Sequence, residues 1–376
     1  MIPSVEGRNR LEQILDRARW APSGDNEQCW RFEIVDDHHI IVHGYDTRDH
    51  CVYDLDGSAS QIGIGALIET MALAASLFGL RIDASRIAES PIERPLIDIR
   101  LIADPQIRAD PLAAHIETRT VQRRALSSRP LTLVEKTAMA ESIGEEYELV
   151  WRESPMERRR MAGLLFASAK LRLIMPEAYQ VHREAIEWGA QFSNDRVPEA
   201  AVGLDPMTAV LMRWVMRSWT RVGFFNRFLA GTWMPRIQLD LIPALKCAAH
   251  FLLVAKRPPT TIDDFIAAGS AVQRLWLTAT HLGLQLQPEV TPLIFARYSR
   301  NRFPFSRLPQ APVLAKRIAT QLEREVGEIA AKNAVFMGRV GAGKPAIARS
   351  LRLSLDQLMF DPNVTLGYQK LRRTST

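Results

Sequence analysis

The chain is short of cysteine, and the placement of the few it has excludes more than their number. Cys29, Cys51 and Cys247 are the three in 376 residues, lie far apart and form no C-x-x-C pair. That spacing supports neither a disulfide framework nor a zinc site, and it fits a reducing, cytoplasmic compartment. An uninterrupted apolar run is also missing. The most hydrophobic stretch, "MTAVLMRWVMRSWTRVGFFNRFLAGTW", carries Arg213, Arg217, Arg221 and Arg227, so no membrane span is expected. "MIPSVEGRNRLEQ" lacks the apolar core of a secretory signal. The net charge of +6 and pI near 9.4 are basic but diffuse, and "ERRR" at 157–160 reads as a solvated helix face. No nucleic-acid partner is expected. No Ser-His-Asp or paired-carboxylate constellation is present, and no catalytic side chain is assigned. His38, His39, His43 and His50 stand near Cys51, but strand alternation separates His38 from His39 and His43, so no metal is expected.

What is present is an ordinary globular composition, 47% apolar and 24% charged, long enough for one large domain or two ordinary ones. Leu11, Ile14, Leu15 and Ala18 recur at i, i+3, i+4 and i+7, which predicts a helix stopped by Pro22. Ser23, Gly24, Asp25 and Asn26 follow as a polar loop. "WRFEIV" and "IIVHGY" alternate as two strands about an Asp36–His39 turn. A long apolar helix is expected over 57–80, and a strand, "LIDIRLI", ends near Ala103. Part of this pattern recurs. Gly65, Leu73, Ala75, Gly79 and Leu80 match Gly269, Leu277, Ala279, Gly283 and Leu284 at a constant offset of 204. The later helix also adjoins a strand, "AHFLLVA" at 249–255. The spacing is too long for a solenoid and reads as two fused copies of one α+β unit, with the two apolar helices as the seam.

Four segments then carry a resemblance. "ARWAPSGDNEQCWRF" resembles the A-x-x-A-P-S-x-x-N-x-Q-P-W-x-F loop of the FMN-dependent nitroreductase family, and "RTVQRRAL" at 119–126 is similar to its Arg-rich strand. "GSAVQRLWLTATHLGLQLQP" resembles its central helix, and "MGRVGAGKPAIARSLRLSLDQL" its C-terminal R-x-G-x-x-x-x-P-x-x-R-S-x-R-x-P-L segment. The resemblance implies an α+β, nitroreductase-like fold in which one chain forms its own pseudo-dimer around a shared helical core with mixed sheets. Residues 1–110 would be a shortened first half and 111–376 the second, with a hydrophobic insertion at about 176–235 acting as a lid.

It also implies FMN, with FAD the less expected cofactor, and NAD(P)H as co-substrate. Arg119, Arg123, Arg349 and Arg352 would hold the phosphate, as guanidinium forks suit its oxygens. Ser23, Asn26 and Gln28 would bond the flavin ring or ribityl chain, and Pro288 and Glu289 stand where the family turns against N5. Cys29 replaces the family's proline, and "QPEVTP" lacks the family's glycine. "GRVGAGK" fits the first seven positions of a phosphate loop, but Pro345 replaces the magnesium-binding Ser or Thr. Its glycines are expected instead to turn the chain so that Arg349 and Arg352 reach the phosphate. The first half has no equivalent arginine cluster, so one complete site is expected. The implied function is hydride transfer from NAD(P)H through the flavin to a small electrophile such as a nitroaromatic or quinone. The alternative is a flavin-storage protein with little turnover. Pairing between fused chains stays open.

Overall fold

The structure is a computed structural model that describes residues 9–228 and 231–363. The fold is α+β. Helix α1 (Arg10–Ala18) starts at a capping box between Asn9 and Glu12 and buries the four apolar positions that its spacing marks. Strands β1 (Trp30–Asp36) and β2 (His39–Gly44) form the expected hairpin. Helix α2 (Ser58–Ser76) follows, shorter than its apolar run, because Gly79 takes a left-handed φ of 66° and ends the segment. Next comes β3 (Leu80–Arg86), unanticipated in the sequence, then β4 (Leu96–Ala103).

The later part begins with α3 (Leu133–Glu141) and β5 (Tyr147–Arg152), followed by α4 (Pro155–Ile174) and α5 (Pro176–Ala185). Three two-residue strands come next: β6 (Ile186–Glu187), β7 (Phe192–Ser193) and β8 (Val197–Pro198). Helices α6 (Glu199–Val202), α7 (Pro206–Val215), α8 (Trp219–Phe228), α9 (Trp233–Arg236) and α10 (Ile242–Leu245) lead to β9 (Ala249–Ala255). The chain then forms α11 (Ile262–His281), β10 (Leu284–Pro288), α12 (Thr291–Asn301), α13 (Ala311–Val326), α14 (Glu328–Asn333) and β11 (Ala334–Ala342). Strand β12 (Arg349–Ser350) and α15 (Leu355–Leu358) close the described chain.

Two four-stranded sheets carry the architecture, in the orders β1-β2-β4-β3 and β5-β9-β11-β10. In each, the first two strands in chain order are neighbours, a long apolar helix precedes the third, and the fourth inserts between the second and third. Every pairing within these sheets is antiparallel. The parallel component expected of mixed sheets is confined to the two-residue ribbons and to single bridges, Val121 to Leu286 and Phe32 to Met359.

The two long helices cross between the sheets, and glycine permits the crossing. A Cβ on Gly65 would lie 1.8 Å from the Ile266 carbonyl oxygen, and one on Gly269 would lie 2.1 Å from that of Ile62. Beyond this contact, Gln273 donates to Thr70 (2.9 Å), and Arg274 bridges Glu69 (2.7 Å) and Asp110 (3.0 Å). The core follows the seam. Leu277 of α11 packs among residues of α1, α2 and the first sheet, and so do Leu355 and Leu358 of the tail. Helix α2 is, among the described residues, the one helix long and apolar enough to cross a bilayer, and 72% of its apolar window is buried.

The phosphate-loop-like glycines require a correction. Gly338 and Gly341 lie inside β11 and do not turn the chain. A Cβ on Gly338 would meet the Gln287 carbonyl (2.8 Å) and the Phe251 ring (2.9 Å), so glycine serves close strand packing there. Overpacking of a closed contact destabilises by about 1–3 kcal/mol. Gly269→Ala therefore lowers the unfolding free energy by about 3 kcal/mol, and Gly163→Ala, an exposed site inside α4 whose added carbon would meet only a glutamine side-chain nitrogen at 3.6 Å, raises it by up to about 1 kcal/mol. Urea titration followed by circular dichroism checks both.

Candidate functional site

The loop after α1 is where the backbone is most unusual. Asp25, Asn26 and Gln28 all have left-handed φ, at 48°, 66° and 52°. Non-glycine residues held there store strain, which clusters at functional positions. Side chains hold the loop in place. Ser23 Oγ accepts from the Gln28 amide, the Gln28 carboxamide donates to the Asn194 carbonyl (2.9 Å) and accepts from the Leu353 amide (2.9 Å), and Asn26 donates to the Asn194, Arg196 and Leu351 carbonyls. The loop, the segment after α5 and the tail thus form one polar knot. Ser23 and Gln28 are spent on the protein, whereas Asn26 Oδ1 is buried without a hydrogen-bond partner.

Beside this knot lies a cluster of guanidinium groups. Arg352 donates to the Ala21 and Trp20 carbonyls, and Arg119 also donates to Trp20 (3.2 Å). Arg349 donates to the Glu117 carbonyl (2.7 Å). The Trp20 ring lies 5.1 Å from the Arg349 guanidinium and 6.0 Å from that of Arg352, and the Trp276 ring lies 4.5 Å from that of Arg119. Arg119 is 4% and Arg352 8% exposed, yet none of the three has a carboxylate within 4.0 Å among the described residues. Burial, aided by Arg349, pushes Arg119 down to about 9, and burial with Arg119 and Arg349 alongside pushes Arg352 well down. Arg119 Nε and Arg349 Nε are buried without partners. Like charges gathered out of water without a counter-charge are costly, and an anion relieves them.

Arg123 points elsewhere. Residues 119–123 run beside β10, joined by the Val121–Leu286 bridge and the Gln122 amide to the Leu286 carbonyl (3.2 Å). An extended segment of five residues spans at most about 14 Å between its end Cα atoms and puts its first and last side chains on one face. At the far end Arg123 donates to the Ala201 carbonyl (3.2 Å) and lines a cavity of about 140 Å³. Arg172, Ser168, Asp240, Gln287, Pro288 and Glu289 line it too, as do Val202 and Leu239. Ser168 Oγ, Arg172 Nε and Gln287 Oε1 are buried there without partners. Asp240 sits in a π-helical turn (Ile237–Leu241), a rare conformation often found at functional sites. Burial pushes its carboxyl up to about 6, against the pull of Arg172.

Glu289 is committed to the protein. Its carboxylate accepts from His250 Nδ1 (2.7 Å) and lies 3.3 Å from Arg339 Nε, and all three side chains are buried. Burial opposes charge on His250, but Glu289 outweighs it and raises the imidazole to about 10.

The structure therefore gathers Arg119, Arg349 and Arg352 at one pole, and Arg123, Pro288 and Glu289 at the other. Ser23, Asn26 and Gln28 brace the loop between tail and insertion. Sequence reasoning missed Trp20 and Trp276, the aromatic platforms of the cations, although Trp20 stands inside the quoted loop. It also missed Ser168, Arg172, Gln287 and Asp240, which no spacing marks.

Comparison with known proteins adds little. No family model matches the chain. It is 24% identical over 303 residues to "Uncharacterized protein MT1398" of Mycobacterium tuberculosis, covering 78% of this chain and 40% of that protein. The chain thus spans about two-fifths of the length of the relative it matches.

Inorganic phosphate raises the melting temperature of the wild type, and Arg119→Gln removes most of that rise, as differential scanning fluorimetry will show. His250 gives a second test. Its folded value near 10 exceeds the free value of 6.5, so its contribution is full below pH 6.5 and is lost as pH climbs through 10. Unfolding free energy falls by up to about 1.4 kcal/mol per pH unit in that window, and the fall is shallower in His250→Asn. Urea melts at pH 6, 8 and 9.5 measure it.

Proposed function

We propose that this chain is a flavoprotein, an FMN-dependent oxidoreductase of nitroreductase type built as two fused α+β units. The duplication reading, with halves at 1–110 and 111–376, is supported by the repeated strand order and by the matched glycines at the helix crossing. One observation carries the cofactor: two buried arginines beside a half-buried third, with no carboxylate within 4.0 Å among the described residues, joined by an extended segment to a cavity with orphaned polar atoms. A molecule with an anionic phosphate at one end and a hydrogen-bonding heterocycle at the other matches that polarity. Arg119 and Arg349 would hold the phosphate with Arg352 behind them, and FMN suits this single cluster better than FAD. Ser168, Arg172 and Gln287 would supply the unmet bonds at the ring end, and Asn26 one from the loop beside the arginine cluster. When bound, the flavin supplies the hydride chemistry and the protein supplies binding and electrostatics. The expected donor is NAD(P)H, the acceptor a nitroaromatic, a quinone or a similar electrophile. Three free cysteines accord with a reducing, cytoplasmic setting.

A second reading has its own support. A cavity of about 140 Å³ is below the ~300–1,000 Å³ of ordinary ligand pockets, and Val202 from the 176–235 segment forms part of its wall. A flavin held there would displace the 176–235 segment or be covered by it, which favours storage over turnover. Purified protein with flavin absorbance that oxidises NADPH with a quinone present supports the oxidoreductase. Bound flavin that NADPH does not reduce supports storage, and protein that neither carries nor takes up FMN sinks both. Arg349→Gln weakens FMN binding by about 10–100-fold, the worth of one charged hydrogen bond, in equilibrium dialysis.

A further inference from the structure

Beyond the cavity-lining Val202 in the chain, helices α7 and α8 expose an apolar surface. Helices α7 and α8 bury Val215, Met216 and Val222 against Tyr179. Their outer faces leave large apolar side chains in solvent: Met207 is 84% exposed, Phe228 64% and Phe224 52%, and Trp233 at α9 is 54% exposed. These are not scattered singles. Trp214 meets Phe225 at 5.9 Å between ring centroids, Phe225 meets Phe224 at 6.1 Å, and Phe224 meets Phe228 at 5.2 Å, so one aromatic chain runs across both helices. Contiguous exposed apolar surface of this kind marks an interaction site.

Charge selects the occupant. From Pro206 to Leu239 the sequence holds five arginines and no aspartate or glutamate. Arg213 is held by Glu199 (2.7 Å) and Arg236 is turned inward onto the Phe166 carbonyl. Arg217, Arg221 and Arg227 remain without a carboxylate partner among the described residues. Arg221 lies over the Trp214 ring (4.5 Å) and Arg227 over the Phe228 ring (5.5 Å), so cations and apolar groups share one surface. Asp205, at the edge, is tied down as the cap of α7. A second copy would place these arginines against their own kind across an isologous contact. An anionic bilayer offers the opposite charge and an apolar layer just beneath it, which aromatic and arginine side chains suit.

We propose that the α7–α9 surface docks flat on an anionic lipid bilayer, with Trp214, Phe224 and Phe228 entering the headgroup boundary and Arg217, Arg221 and Arg227 meeting lipid phosphates. The proposal does not depend on the flavin.

The full chain is floated with vesicles of phosphatidylcholine alone or with about a third phosphatidylglycerol. It rises with the anionic vesicles, stays down with the neutral ones, and is released by 0.5 M salt. Neutralising Arg217, Arg221 and Arg227 to glutamine lowers the partition coefficient on the order of 100-fold, from about fivefold per cation at such a surface. Phe224→Ser with Phe228→Ser abolishes flotation while circular dichroism and melting stay unchanged, because both rings are exposed. Failure to float at any phosphatidylglycerol content overturns the proposal. So does equal binding to neutral vesicles, or a dimer that dissociates in the Phe224→Ser, Phe228→Ser variant and binds no vesicles.

Discussion

The structure depends on a backbone-to-backbone contact that only glycine allows. At the Gly65–Gly269 crossing each helix presents a bare Cα to the other, and a methyl group on either would lie 1.8 or 2.1 Å from a carbonyl oxygen, far inside contact distance. The helices therefore cannot slide, and the bonds from Gln273 to Thr70 and from Arg274 to Glu69 fix their rotation. Everything downstream inherits that register. Trp276, one turn beyond Gln273, is thereby placed under Arg119, and Leu277 is delivered into the core of the first sheet.

The polar interior is arranged around that frame in two unlike ways. Glu289 sits between His250 and Arg339, one carboxylate paired with two cations, so each buried cation there has a counter-charge. Arg119, Arg349 and Arg352 are arranged oppositely: carbonyl groups and tryptophan faces surround them, and these soften positive charge without cancelling it. A protein that merely needed a filled core would place leucines there. Two orphaned guanidinium nitrogens next to a loop with three left-handed residues are what the proposed phosphate site rests on.

Local pattern carried much of this into the sequence. The first hairpin, α1 and the paired apolar helices were legible because their side-chain periods match the burial they adopt. Strand β3 was not, since only Leu80 of its seven residues is buried and an edge strand of that kind shows no alternation. The glycines of "GRVGAGK" misled because glycine in a strand and glycine in a loop look alike until the facing Phe251 ring is known. The site was readable in kind but not in detail. Arginine clusters and the Ser23–Gln28 loop stood out by resemblance, yet the partners that use up Gln28 lie at 194 and 353, and no local rule links them. Asp240 and Arg172 meet across 68 positions from segments without a shared period.

The tail's position has a consequence for biosynthesis. Phe360 donates to the carbonyl of Phe32, and Leu355 and Leu358 fill the core beneath the first hairpin. A ribosome adding roughly 5–20 residues per second needs tens of seconds between making those two partners. For all of that interval the amino-terminal unit waits with an open flank, and the arginines at 349 and 352 do not yet exist. The full set of three arginines therefore assembles only after residue 352 has been made.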